Sequence, residues 1–74
     1  MELKILEIHE RDAHYPYRDE YLGATMEAEY EDIELSNIPD NDGTWLYVYG
    51  KVHDNYHIGY PWTVFLAVRL ECIT

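Results

Sequence analysis

Five carboxylates fall within residues 27–34: Glu27, Glu29, Glu31, Asp32 and Glu34. Carboxylates this close can share a proton as acid and base, converge on a cation, or present a row of charge to a basic partner. Acid–base work needs two carboxyl groups held in different environments, so that their pKa values separate inside a cleft. A uniform row offers the opposite; no catalytic residue is assigned, and the chain does not read as an enzyme. A calcium site draws oxygens from alternate positions of a loop, followed by a bidentate glutamate. Asp40, Asn41 and Asp42 come nearest to that pattern and lack the glutamate. In a strand, alternate side chains on one face stand about 6.8 Å apart, twice the rise per residue. Phosphates along a DNA strand are about 6–7 Å apart. The row therefore matches a nucleic-acid backbone, and Asp40 and Asp42 extend its charge. The competing reading is a solvated face that only keeps the protein soluble.

Other chemistry-bearing residues give weaker signals. His53 and His57 have a zinc-like spacing, but the pair flanks a loop, where spacing fixes no geometry. His9 and His14 add no third convergent ligand, so no metal site and no cofactor are expected. Cys72 shares parity with Trp62, Val64, Leu66, Val68 and Leu70, which predicts a buried, inert thiol. No phosphate-cradling glycine loop is present. Trp45, Tyr47 and Tyr49 make an aromatic stripe at strand spacing. Such stripes stack bases in RNA-binding sheets, yet five bases against 15 acids leave nothing to neutralise phosphate, so no direct nucleic-acid binding is expected. The rings either fill the core or anchor a protein partner, where tyrosine and tryptophan are favoured.

Charge is distributed unevenly. Residues 1–42 hold 13 acids and three bases, residues 43–74 hold two of each, and the net charge is −10. From Asp19 to Asp42 there are nine acids and no base, whereas ordinary surfaces intersperse the signs. Seventy-four residues make one domain, 1–74, too short to enclose a deep substrate cavity. No apolar run approaches the roughly 18 residues of a membrane span. MELKILEIHE lacks the features of a secretory signal, and a single cysteine fits a reducing compartment; together these predict a cytoplasmic protein.

The elements that must position these residues read as short strands. Leu3, Ile5 and Ile8 predict a first strand over 3–9. ERDAHYPYRDEY is a long loop containing Pro16. Residues 22–31 read as a strand, with Met26, Ala28 and Tyr30 opposite Glu27, Glu29 and Glu31. A helix over 21–33, giving an α+β fold, is the alternative. The alternation breaks at Asp32, which predicts a bulge or loop start there. SNIPDNDG, residues 36–43, is a turn-rich loop. Residues 44–52 alternate again, and residues 62–73 form a last apolar run interrupted near 66–68. The expected core is Val48, Val52, Val64, Leu66 and Leu70. The fold class is all-β, a small antiparallel five-stranded barrel, since closure removes unpaired edges.

The layout resembles a small SH3-like barrel. It has a first strand, a long loop ending in Tyr21, Leu22 and Gly23, an aromatic strand after the Asp42–Gly43 turn, and FLAVRLECI as the closing strand–turn–strand. That fold hosts many functions and implies none by itself. In size and one-sided acidity the chain resembles the small acidic inhibitors of bacteriophages, among them DNA mimics and anti-CRISPR proteins. The resemblance implies a non-enzymatic inhibitor acting in a host cytoplasm, with a nucleic-acid-binding protein or nuclease complex as partner. The partner-binding set would be Glu27, Glu29, Glu31, Asp32, Glu34, Asp40 and Asp42, with Trp45, Tyr47 and Tyr49 as apolar anchors. The alternative is a small accessory or regulatory barrel subunit of a larger enzyme complex.

Overall fold

The computed structural model describes residues 1–16, 18–52, 62–63 and 66–73. They form an all-β fold. The strands are β1 (Glu2–Ile8), β2 (Thr25–Glu27), β3 (Ile33–Leu35), β4 (Leu46–Val48), β5 (Gly50–Val52), β6 (Trp62–Thr63) and β7 (Val68–Cys72). Every pairing is antiparallel, in the order β3-β4-β7-β1-β2-β5-β6. Among the described residues, helical structure is confined to a one-turn helix, α1 (Arg18–Tyr21), and two 3-10 turns, Glu10–Asp12 and Tyr30–Asp32. The helix over 21–33 is therefore not formed. Gly23 at φ 83° ends α1 in a left-handed turn that a side chain would strain. That turn lets Gly23 N–H donate to Ile5 O and Ile5 N–H to Ala24 O, which brings β2 against β1.

Seven strands arise from five lengths of chain. Tyr49 alone separates β4 from β5, and that arm reaches β7 through Leu46↔Val68 and β2 through Met26↔Val52. The arm opposite it is split into β2 and β3. Met26 faces Val52, but Ile33 faces Val48. Seven steps along one arm thus match four along the other, leaving three extra residues, the 3-10 turn Tyr30–Asp32. The break expected at Asp32 is present, as a three-residue insertion. β1 carries a smaller one at Leu6, between Ile5↔Leu70 and Glu7↔Arg69.

The core collects Leu3, Ile5, Ile8, Tyr21, Met26, Ala28, Val48, Leu66 and Val68, with Leu70 packed against it. The expected core residues Val48 and Leu66 are buried; Val52 and Val64 lie outside the described side chains. Cys72 differs from expectation, since its thiol is exposed. It keeps the parity of Val68 and Leu70 and pairs with the buried Leu3. It is, however, the last residue of β7, at the end of the strand.

Tyr21 gives this core a pH signature. Burial, and then the charge of and hydrogen bond with the neighbouring Tyr15 hydroxyl, push its pKa up to about 12. Unfolded tyrosine ionises near pH 10. The folded state keeps the proton longer, so this stabilisation is complete below pH 10 and is lost as pH rises from 10 towards 12. At 1.36 kcal/mol per unit, the loss is about 2–3 kcal/mol. Urea unfolding across that range should show the decline, and Tyr21→Phe should remove it.

Candidate docking face

β2 should have carried the acidic row along a single strand, and it does so only as far as Glu27. Met26 and Ala28 are buried as the alternation requires, but Tyr30 is 82% exposed. The chain leaves the sheet at Glu29, whose N–H donates to Asp32 Oδ2 at 2.9 Å, and Asp32 N–H returns to Glu29 O. The short side chain of Asp32 closes this turn as a helix cap does. Glu29 and Glu31 therefore sit on the inserted turn, not at strand spacing, and the phosphate-like ladder Glu27–Glu29–Glu31 is not formed. All the same, Glu27, Glu29, Glu31 and Glu34 are exposed and Asp32 half-exposed. Glu27 meets the Met1 amine at 3.2 Å and stands opposite Lys51 in register. Among the described residues, no Lys or Arg side chain pairs with Glu29, Glu31, Asp32 or Glu34.

The arginines are engaged elsewhere. Trp45, Tyr47 and Tyr49 lie half-exposed on the outer face of the β4 arm, so they neither fill the core nor stand bare. The Arg69 guanidinium lies 4.1 Å over the Trp45 ring, and His9 meets that ring edge-on at 4.8 Å. Arg69 also donates to Thr44 Oγ1 at 2.9 Å, Glu7 Oε2 at 2.6 Å and Asp42 Oδ2 at 3.4 Å. Arg11 covers Tyr47 at 5.5 Å and donates to its hydroxyl and to Asn37 Oδ1, both at 2.9 Å, and to Asp12 Oδ2 at 3.3 Å. Asp12 in turn accepts from Ala67 N–H at 2.9 Å, tying the first loop to the start of β7. Cation–aromatic contacts of this kind stabilise by about 0.5–1 kcal/mol at exposed sites. Tyr49 donates to Glu34 Oε1 at 3.0 Å, and that bond raises its pKa. Of the proposed set, the fold joins Glu34 to Tyr49, Asp32 to both Glu29 and Tyr49, and Asp42 to Trp45 through Arg69.

The candidate cation loop is braced by its own groups. Asn41 Nδ2 donates to Ser36 O, Ser36 Oγ and Trp45 O, while its Oδ1 accepts from Gly43 and Trp45 N–H. Asp42 Oδ1 accepts from both Thr44 N–H and the Thr44 hydroxyl, and these bonds, aided by Arg69, lower its pKa. Asp40 is exposed at φ 58°. Among the described residues no cluster of three or more His, Cys, Asp and Glu could hold a metal. His9 Nδ1 accepts from Arg11 N–H, and His14 lies exposed in a turn; His53 and His57 lie outside the described residues. No helix among the described residues is long and apolar enough to cross a membrane.

One feature escaped the sequence reading. Beside the acidic turn lies an open, mostly apolar groove of about 410 Å³, lined by Met1, Leu3, Tyr30, Ile33, Glu34, Leu35, Leu46, Leu70 and Cys72. Leu35 is 61% exposed. The signal was the parity change itself: after three inserted residues Ile33 and Leu35 swing to the side of Met26, where Ile33 packs half-buried against the core and Leu35 is left exposed. The fold and face together define a small all-β domain that presents an acidic turn next to an apolar groove. No protein-family model, curated protein or solved structure matches the chain.

Proposed function

We propose that this protein is a non-enzymatic binding domain that docks its acidic face on the basic surface of a nucleic-acid-binding protein or nuclease complex, and so excludes nucleic acid. One observation carries the reading. The cations Arg11 and Arg69 are committed to Asp12, Glu7 and Asp42, while Glu29, Glu31 and Glu34 stand exposed with no cationic side chain paired to them among the described residues. Leaving like charges together costs stability, and a basic partner offsets that cost while gaining speed of encounter. With the ladder broken, charge density and the adjoining groove support the reading, and regular phosphate spacing does not.

The test is capture of partners from a nuclease-treated bacterial lysate on the immobilised protein, followed by elution with duplex DNA. Nucleic-acid-binding proteins should be recovered and released by DNA. The combined Glu27→Lys, Glu29→Lys and Glu31→Lys variant should recover none of them while keeping its circular dichroism. Equal recovery by that variant, or partners that DNA does not displace, would overturn the proposal.

A further inference from the structure

We infer that the β3 edge and its groove bind an extended segment of the basic partner as an added strand, with alternating apolar and basic side chains; this rests on the function proposed above. Among the described residues β3 ends the sheet, paired with β4 alone. Ser36 N–H donates to Trp45 O and Tyr49 N–H to Asp32 O. Because bonded pairs alternate along an antiparallel ladder, Asp32 C=O, the backbone groups of Glu34 and Ser36 N–H point at the β4 arm. Leu35 N–H and C=O and Ile33 C=O therefore point away from it, towards the open edge. An unpaired edge of this kind is a template for strand addition.

Side-chain chemistry selects what is added. Residues opposite Ile33 and Leu35 would fall on the groove face, against Tyr30 and Leu46. The residue opposite Glu34 would fall on the outer face, beside Glu34 and near Glu31 and Asp32 on the turn. The fitting segment is therefore apolar–basic–apolar. A second copy of this chain does not fit, because it would set Glu31 and Glu34 against their own equivalents in a protein of net charge −10. Natural edges are usually guarded by lysine, proline or a covering loop; among the described residues this one carries an exposed leucine and a glutamate.

A short labelled peptide alternating lysine and valine is the probe, titrated by fluorescence anisotropy with amide chemical shifts recorded in parallel. It should bind at least tenfold more tightly than a peptide of the same composition with all lysines before all valines. The Leu35 amide should shift and become protected from exchange. N-methylation of alternate peptide amides should abolish the preference, and so should Leu35→Lys, whereas Ile73→Lys outside the groove should not. Equal binding of both peptides, insensitive to Leu35→Lys but lost in the triple glutamate variant, would overturn strand addition and leave the acidic docking face standing. Absence of binding by either peptide at low salt would also overturn it, and displacement of captured partners by DNA would then judge the broader function separately.

Discussion

Ile5→Ala is expected to remove about a fifth or more of the stability of this domain, whereas Leu35→Ala leaves it unchanged. Ile5 is fully buried on β1, which lies between β2 and β7. Its backbone holds Gly23 and Ala24, and its side chain faces the core beside Leu70. Large-to-small changes at such sites cost about 2–5 kcal/mol, because surrounding atoms close the cavity only in part. At 0.05–0.15 kcal/mol per residue, a chain this short has about 4–11 kcal/mol in total. With a urea slope of about 1 kcal/mol/M, the midpoint should fall by about 2 M or more. Leu35 is 61% exposed, and substitutions at such positions usually stay within about 0.5 kcal/mol. A matching loss at Leu35 would mean that the groove is a covered part of the core. An unchanged midpoint, together with loss of the alternating peptide, would show an exposed leucine kept for contact.

Alternation made Ile5 legible, as it did Leu3, Met26 and Val48, because the strand period is two wherever one face is buried. The same rule flagged Asp32 as the place where the pattern fails. It could not show that the failure is a complete three-residue turn, since a bulge and an insertion leave similar traces in a single strand. Depth along a strand was illegible too. Cys72 has the parity of a core residue but ends its strand, and parity says nothing about what lies above the last pair. The aromatic stripe was legible as a stripe, while its cover was not. Arg11 reaches Tyr47 across 36 residues and Arg69 reaches Asp42 across 27, and no local pattern encodes such partners. The groove depends on both failures at once, a parity change on one arm and an open end beside it.

Deleting Tyr30, Glu31 and Asp32 is expected to stabilise the protein and to abolish docking. Without them Ile33 follows Glu29, and its pairing with Val48 joins the register of Met26 with Val52. The two halves of the arm become one strand over the segment now split between β2 and β3. Met26, Ala28, Ile33 and Leu35 then share one face, and Glu27, Glu29 and Glu34 the other. Two exposed or half-exposed charges leave, and three residues no longer need ordering, at about 1–2 kcal/mol each. Against this stand four hydrogen bonds of the turn, from Tyr49 N–H to Asp32 O, Glu29 N–H to Asp32 Oδ2, Asp32 N–H to Glu29 O and Ile33 N–H to Tyr30 O, at about 1 kcal/mol each; the first can be remade by Glu29 O in the continuous ladder. The net gain should be on the order of 1 kcal/mol, or about 4–8 °C in melting temperature for a domain of this size. Amides 27–29 and 33–34 should slow in hydrogen exchange as the arm becomes regular. Peptide and partner affinity should fall at least tenfold, because the lip residue Tyr30 and the charges of the turn are gone. A sequence that keeps a costly insertion where a continuous strand is available is holding it for a use other than folding. The deletion also separates the two ways in which the glutamates could act. It places Glu27, Glu29 and Glu34 about 6.8 Å apart along one strand, the spacing of a phosphate row. If the shortened protein binds its partners more tightly than the native one, regular charge is what the partner recognises, and the turn, groove and edge are not the docking face. If it melts below the native protein, the turn is part of the folding scaffold and its retention needs no functional cause.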